Sequence, residues 1–295
     1  MRYPGGVDSG MVGVPAEPLR RVPSARALVL ATHPGPAVAV TTVATLLAVA
    51  ADVPAGRVVL VCLAVLAGQA SIGWSNDWLD ADRDRAVARA DKPVVQGAVA
   101  PSLLRSAALV SVVLAVVLSL LLGPAAGTLL LVLVASGWAY NAGLKRTAAS
   151  VVPYVTGFGL LPAGVVAAAP GTPAAPWWLI AAGGALGAAA HLANVAPDIE
   201  EDLATGVRGL PHRIGAAASA VTGAVLLFAG SLVLVFGPAG PPSAAAWVGL
   251  GLAAPAVVVA GLSGSERSRR LAFPAVMLLT VLDVVLLLLG GAALT

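Results

Sequence analysis

Long apolar runs separated by short polar segments dominate the pattern of this chain. Nine runs come close to the roughly 20 residues that a helix needs to cross a bilayer. Runs three and four are separated only by GPAAG, which predicts a tight helical hairpin. The runs lie near residues 27–50, 58–77, 106–122, 125–141, 149–169, 175–197, 214–236, 244–263 and 271–292. The pattern therefore predicts an all-α membrane protein with nine transmembrane helices.

The composition agrees with a membrane protein. Hydrophobic residues make up 59% of the chain and charged residues 11%, whereas soluble domains carry roughly a quarter charged residues. Residues 1–26 are polar and rich in Pro and Gly, which predicts a disordered cytoplasmic tail ahead of a membrane domain over 27–295. The basic residues are spread over loops without interleaved aromatic residues, which excludes a nucleic-acid partner.

The basic residues predict the orientation in the cell membrane. If the N-terminus is cytoplasmic, Arg57 is the one Lys or Arg outside the tail and the cytoplasmic loops. This asymmetry follows the positive-inside rule and supports the nine-helix count. Fifteen arginines against two lysines are typical of a GC-rich bacterial genome.

Two acidic stretches with the same spacing stand where predicted helices reach the cytoplasm. Nine of the 14 acidic residues fall within SNDWLDADRDRAVARADKP (75–93) and HLANVAPDIEEDLATGVRGLPHRIG (191–215). Both contain Asn-x-x-x-Asp-x-x-x-Asp, which places the three polar residues on one helix face. The two sets are Asn76, Asp80 and Asp84, with Asp77 beside them, and Asn194, Asp198 and Asp202. Pro197, directly before Asp198, predicts a kink.

Paired carboxylate rows of this kind are suited to Mg²⁺ and a diphosphate. Mg²⁺ binds one or two carboxylates together with substrate phosphates, and it neutralises a diphosphate leaving group. The predicted metal ligands are Asp77, Asp80, Asp84, Asp198 and Asp202. Neighbouring basic residues are expected to bind further phosphate oxygens, and the candidates are Arg83, Lys92, Arg208 and Arg213.

These residues resemble the UbiA superfamily of intramembrane prenyltransferases. Asn76, Asp77, Asp80 and Asp84 match its first motif, NDxxDxxxD, and Asp198 and Asp202 match its second, DxxxD, with Asn194 upstream. The segment YNAGLKR is similar to a family segment through which Tyr140 and Lys145 are expected to bind diphosphate. In DKP, Lys92 stands where the family often has arginine. Lysine keeps the positive charge but does not bind phosphate in the bidentate geometry of arginine.

The resemblance implies a nine-helix bundle around a central cavity, with a cytoplasmic cap that carries both motifs. It implies Mg²⁺-dependent ionisation of a polyprenyl diphosphate and transfer of the prenyl group to an acceptor, often aromatic, inside the membrane. Asn76, Asp80, Asn194 and Asp198 are the expected catalytic residues. Membrane lipids are the other expected partners, and an apolar cavity is expected to hold the prenyl tail.

Two alternatives remain open at this point. A terpene cyclase of the same superfamily uses the same ionisation without an external acceptor, so the motifs do not separate it from a transferase. An ion-coupled transporter would place its acidic residues near the bilayer midplane, whereas nine cluster at the cytoplasmic rim here. The acceptor, the prenyl chain length and the oligomeric state are not encoded in any recognisable pattern.

Other polar and aromatic residues in the apolar runs have two interpretations. His191 fits either a catalytic base or acceptor-binding group, or a hydrogen-bonded structural histidine. Asp283, in the middle of the last run, fits a polar contact between helices. Gln69 fits either the cavity wall or a bond to a neighbouring helix, and the bond is favoured. His33, Tyr154 and Phe158 fit either cavity lining or core packing, and core packing is favoured for each.

Overall fold

A computed structural model describes residues 24–262 and 266–294, which form helices joined by turns and short loops. The helices, in chain order, are α1 (Ser24–Leu30), α2 (Pro34–Ala50), α3 (Ala55–Leu79), α4 (Ala81–Ala86), α5 (Pro101–Leu121), α6 (Pro124–Ala142), α7 (Val152–Val166), α8 (Trp177–Val195), α9 (Ile199–Ala204), α10 (Leu210–Ile214), α11 (Ala216–Phe236), α12 (Ala244–Leu262) and α13 (Glu266–Leu289). Short 3₁₀ segments cover Leu144–Arg146, Ala148–Val151 and Ala196–Asp198. The predicted all-helical class is confirmed, and residues 1–23 of the predicted tail lie outside the described residues.

Seven helices in the described part of the chain are long and apolar enough to cross a membrane. Each of the nine predicted runs overlaps a helix. However, Pro34–Ala50 and the searched part of α12, Ala244–Ala254, are shorter than the others. A multi-pass membrane protein is therefore confirmed, whereas the count of nine spanning helices is not confirmed over residues 24–262 and 266–294.

The first predicted helix is broken between α1 and α2, which corrects the continuous run over 27–50. Pro34 lacks an amide hydrogen and disfavours helical geometry in the residue before it. His33 accordingly adopts a left-handed conformation, with φ 54° and ψ 67°. The Trp74 indole nitrogen donates to the Leu28 carbonyl at 2.9 Å and holds α1 against α3. The break turns the His33 ring towards the end of α3.

The predicted hairpin between α5 and α6 is confirmed. Gly123 takes a φ of 95°, and Pro124 begins α6 at its first turn, where a missing amide hydrogen costs nothing. Arg57 donates from Nη2 to the Leu122 carbonyl at 2.5 Å. A cation at a helix C-terminus is stabilised by the helix dipole, which gives Arg57 a structural role at the opposite end of the bundle from the acidic motifs.

Six helices enclose the centre of the bundle. α2, α3, α6, α7, α8 and α13 contact one another in that order, and α13 returns to α2. α5 packs on the outside of α3, and α11 packs on the outside of α8. The described helices thus form the predicted bundle around a central cavity.

Glycines allow α7 and α8 to approach closely. A Cβ atom at Gly187 would lie 2.6 Å from the Tyr154 carbonyl oxygen and 2.8 Å from the Phe158 Cβ. A Cβ atom at Gly183 would overlap the Phe158 carbonyl oxygen. Small residues at such positions let helix backbones pack directly in membranes. The close contact sets where Tyr154 and Phe158 stand on the cavity wall.

We expect Gly187→Val to lower the thermal unfolding temperature in detergent. The added methyl groups must push α7 away from α8, and overpacking of this kind costs about 1–3 kcal/mol. Gly251→Val is the matched control, because a Cβ at Gly251 meets nothing within 4 Å. Equal unfolding temperatures for the two variants would contradict the close α7–α8 contact.

Candidate functional site

The centre of the bundle holds a cavity of about 430 Å³ with a polar mouth and an apolar interior. Asn76, Asp80, Asn194 and Asp198 line the mouth, at the ends of α3 and α8. Along α8 the lining continues from Asn194 back to Leu179, a helical rise of about 22 Å. The deeper lining is apolar and includes Leu47, Leu133, Leu161, Leu186 and Val284. The cavity can therefore take a ligand with an anionic head and a long apolar tail.

The first acidic motif lies across a kink between α3 and α4. The Asp80 amide donates to the Asn76 carbonyl at 3.0 Å, and the Asp84 amide donates to the Asp80 carbonyl at 2.8 Å. The predicted spacing of four residues therefore persists although α3 ends at Leu79. Asp77, Asp80 and Asp84 are all nearly inaccessible to solvent. Burial raises the pKa of the Asp84 carboxyl, an effect opposed by the charges of Lys92 and Arg83.

Basic side chains balance the negative charge of these buried carboxylates. Lys145 Nζ donates to Asp80 Oδ2 at 2.5 Å, and Arg83 lies 3.0 Å from Asp80 and 3.4 Å from Asp84. Lys92 Nζ donates to Asp77 Oδ1 at 2.7 Å. Burial lowers the pKa of the Lys145 ammonium group, although the Asp80 carboxylate opposes that shift. The mouth thus contains carboxylates and cations in close alternation.

The second acidic motif also lies across a break in a helix. Pro197 falls in the 3₁₀ segment between α8 and α9, which confirms the predicted kink. Arg89, from the loop after α4, lies 3.2 Å from Asp198, and Arg83 lies 3.8 Å from Asp202. Two arginines of the first acidic stretch therefore contact the second motif. The structure brings the two motifs to one mouth, as their positions at the same end of the bundle require.

The carboxylate oxygens test whether this mouth suits a divalent cation. Asp77 Oδ2, Asp80 Oδ1 and Asp84 Oδ2 are buried and have no hydrogen-bond partner in the described residues. A buried anionic oxygen without a partner is costly, and oxygen is the ligand that Mg²⁺ prefers. No cluster of three acidic, His or Cys side chains in the described part of the chain is close enough to hold a metal, because the cations stand between the carboxylates. The donor chemistry fits Mg²⁺ at Asp80 and Asp84.

The other predicted site residues divide into two groups. Asn76, Tyr140, Asn194, Lys145, Arg83 and Lys92 line the cavity. Asp77 is outside the lining, because it follows Asn76 and turns about 100° around the helix towards Lys92 and His33. Arg208 and Arg213 are exposed and outside the lining. Arg213 Nε instead donates to the Arg208 carbonyl at 3.0 Å, so these two residues are not placed at the mouth.

The structure adds residues that sequence reasoning did not assign to the site. His33 Nε2 lies 2.9 Å from Asp77 Oδ1 and 3.2 Å from Lys92 Nζ. His212 Nε2 lies 3.1 Å from Asp202 Oδ2. Burial alone would lower the pKa of Arg89, but its hydrogen bonds to Asp91 and the charge of Asp198 raise it. A histidine before proline was the only local signal for His33, and none pointed to His212.

Several expectations about core residues also need correction. His33, Tyr154, Phe158 and Gln69 line the cavity, because their helices present these faces to the centre of the ring. Asp283 accepts a hydrogen bond from Ser231 at 2.6 Å and is buried between α13 and α11. That contact agrees with the expected polar link between helices.

Comparison with solved structures finds the same fold at low sequence identity. A UbiA homologue from Aeropyrum pernix K1 without ligand has a TM-score of 0.69 at 18% identity, covering 84% of this chain and 94% of that chain. A UbiA homologue from Archaeoglobus fulgidus bound to GPP and Mg²⁺ has a TM-score of 0.67 at 14% identity, covering 89% and 99%. A digeranylgeranylglyceryl phosphate synthase has a TM-score of 0.66 at 13% identity, covering 91% and 98%.

A search of curated protein sequences found no significant match. The sequence model of the UbiA prenyltransferase family matches residues 37–292, which include both acidic motifs and every helix from α3 to α13. The matched range also contains every residue of the cavity lining except Thr32, His33 and Pro36. This coverage confirms the resemblance and the prediction of a membrane prenyltransferase, and the chain belongs to the UbiA prenyltransferase family.

Proposed function

We propose that this protein transfers a prenyl group from a polyprenyl diphosphate to an acceptor inside the membrane, in a reaction that depends on Mg²⁺. The observation that carries the proposal is the pairing of two acidic motifs at the polar mouth of an apolar cavity. A diphosphate head fits the mouth and a prenyl tail fits the interior. Neither a transporter nor a soluble-substrate enzyme needs that combination.

The side chains at the mouth have separate roles in this proposal. Asp80, Asp84, Asp198 and Asp202 would hold Mg²⁺, and Asp77 would support them from behind the lining. The metal supplies positive charge that neutralises the diphosphate and makes it a better leaving group. Three cations now paired with carboxylates would bind the remaining phosphate oxygens, namely Lys145, Arg83 and Lys92. Tyr140 lines the cavity beside these cations. Asn76 and Asn194 orient the head group by hydrogen bonds.

The apolar interior binds the tail and protects the reacting carbon. Each buried CH₂ group stabilises binding by about 0.8 kcal/mol, so a polyprenyl chain gains affinity along the whole cavity. The same walls exclude water from the allylic cation that remains when diphosphate departs. An electron-rich acceptor, aromatic or lipid, then captures the cation.

The solved relatives support this assignment of the ligands. The Archaeoglobus fulgidus homologue holds a prenyl diphosphate and Mg²⁺, and it is also described with DMAPP and Mg²⁺. The third relative is named for the synthesis of a prenylated glyceryl phosphate, which makes lipid acceptors as relevant as aromatic ones. The cell membrane of a bacterium, with the N-terminus in the cytoplasm, is the proposed location, because the basic loops follow the positive-inside rule.

Purified protein in lipid should release diphosphate from geranyl, farnesyl or geranylgeranyl diphosphate only when Mg²⁺ is present. The measurement is phosphate detection by pyrophosphatase after the protein is removed and excess Mg²⁺ is added to every sample, with EDTA during the reaction as the control and membrane lipid extract as the acceptor source. A prenylated product from the extract supports transfer. A cyclic product formed without the extract would show that the protein is a cyclase and not a transferase. Equal diphosphate release in Mg²⁺ and in EDTA would contradict the proposal.

A further inference from the structure

A buried histidine stands behind the aromatic part of the cavity wall. Tyr140 on α6 and Tyr154 and Phe158 on α7 all line the cavity. His191 on α8 is fully buried and does not line it. Its ring centroid lies 4.7 Å from that of Tyr154 and 5.7 Å from that of Tyr140. His191 therefore touches the rings that touch the ligand.

The rings themselves form one connected cluster just inside the mouth. The centroids of Tyr140 and Tyr154 are 5.2 Å apart in an edge-to-face arrangement, and Tyr154 stacks on Phe158 at 6.0 Å. Asn141, beside Tyr140, donates to the Ser75 hydroxyl at 2.9 Å. That bond places the cluster level with Ser75, the residue before Asn76. A donor with its diphosphate at the mouth would have its first allylic carbon at this depth.

One polar bond anchors the His191 ring. Its Nε2 lies 3.0 Å from the Ser150 hydroxyl, and its Nδ1 has no hydrogen-bond partner in the described residues. The Ser150 hydroxyl also accepts a hydrogen bond from the Leu210 amide at 2.8 Å. Gly209 permits this contact, since a Cβ there would lie 2.8 Å from the Ser150 Oγ. Ser150 thus ties His191 to the segment that follows the second acidic motif.

We infer that His191 is a positioning residue for the aromatic wall, held by Ser150 and packed against Tyr140 and Tyr154. The inference rests on the proposed function, because it concerns where these rings stand relative to a cation formed from the donor. Ring faces attract positive charge, and a fixed wall keeps water from the reacting carbon. His191 is buried and does not line the cavity, which favours the structural role over the alternative of a base or acceptor-binding group.

Ser150→Ala is the sharpest test, because it removes the one hydrogen bond that His191 makes within the described residues and deletes none of the rings. We expect kcat to fall on the order of tenfold, since small misplacements of wall groups slow a reaction strongly. The KM for the donor should stay unchanged, because head and tail contacts remain. The share of prenyl alcohol formed by water capture should rise. Ser111→Ala is the control, since Ser111 also makes one buried hydroxyl bond, to Ala67, away from the cavity.

Fluorine NMR gives a readout that needs no turnover. The chain has three tyrosines, so protein labelled with 3-fluorotyrosine reports Tyr140 and Tyr154 almost alone. Ser150→Ala should shift these two resonances, and Ser111→Ala should shift neither. If Ser150→Ala does not insert, His191→Gln keeps a polar group for Ser150 but removes the ring, and the same kcat loss and shifts are expected.

The outcomes separate this inference from the proposed function. Unshifted resonances or a kcat at the wild-type level overturns the positioning role. An equal loss of kcat in Ser111→Ala also overturns it, because the effect is then general destabilisation. If wild-type protein releases no diphosphate at all, the proposed function fails, while the resonances still show whether His191 positions the rings.

Discussion

Asp80→Asn is expected to lower the rate of diphosphate release by about a hundredfold or more, the range found when a preorganised electrostatic contact is removed. Asparagine keeps the size of the side chain but removes its charge. Asp80 is nearly inaccessible, and its Oδ1 has no partner in the described residues. The neutral amide is a weaker ligand for a divalent cation and does not balance the charge of Lys145. The measurement is diphosphate release at saturating donor, together with the melting temperature of the purified variant.

Asp82→Asn is the matched control for that variant. Asp82 lies two residues away, its side chain is fully exposed, and it pairs only with exposed Arg85 among the described residues. We expect wild-type release from this variant, because surface ion pairs contribute little. A full rate in Asp80→Asn, or an equal fall in both variants, would refute a specific role for the buried carboxylate.

Lys145→Gln is expected to reduce kcat/KM on the order of a hundredfold, because a charge-assisted contact to the diphosphate is lost. Lys145 is 5% exposed and lies on the cavity wall, where its ammonium group donates to Asp80 and to Asn76. With a metal at Asp80, the ammonium group would be free to bind a phosphate oxygen. Steady-state kinetics over a range of donor concentrations measures the loss.

Arg146→Gln tests whether position or charge alone matters. Arg146 follows Lys145 directly and has the same sign of charge, but its side chain is exposed. Near-normal kinetics are expected for it. If both variants lose activity equally, Lys145 acts through the general positive field of the rim and not through a contact at the mouth.

The helices could be predicted because apolar runs of about 20 residues have few other stable structures. Their interruptions were harder to predict. Pro197 gave a local signal for the break between α8 and α9, and the structure confirms it. The break at His33 was harder to predict, because the helix-breaking effect of Pro34 competes with the strongly apolar sequence on both sides. Hydropathy favoured one helix, whereas the backbone of His33 turned to a left-handed conformation.

The site was predictable where its residues are close in sequence. Asn76, Asp80 and Asp84 all face the cavity because of their spacing, which persists across the kink between α3 and α4. The meeting of the two motifs depends instead on contacts over long sequence distances, such as Arg89 with Asp198, separated by 109 residues. No sequence pattern near Arg89 predicts that Asp198 is its partner. His33 is a similar case, because its partner Asp77 is 44 residues away.

The positions of Arg208 and Arg213 illustrate what charge and proximity in sequence do not predict, since both side chains are exposed and outside the cavity lining. Arg208 and Arg213 follow the second motif closely, but the chain turns at Gly206, where φ is 79°. Gly209 then packs close to the Lys145 backbone, since a Cβ atom at Gly209 would lie 2.6 Å from the Lys145 carbonyl oxygen. This turn buries the backbone of the segment and directs both arginines to the surface. Such a reversal depends on tertiary packing, which spacing does not encode.

The most direct test of the account is the binding of a non-hydrolysable geranylgeranyl thiolodiphosphate, measured by calorimetry on the purified protein in detergent. We expect binding to be at least about tenfold tighter with Mg²⁺ than with EDTA. This gain should be lost in Asp80→Asn and kept in Asp82→Asn. Equal affinity with and without the metal in the wild-type protein would contradict a diphosphate held at the mouth through the two acidic motifs.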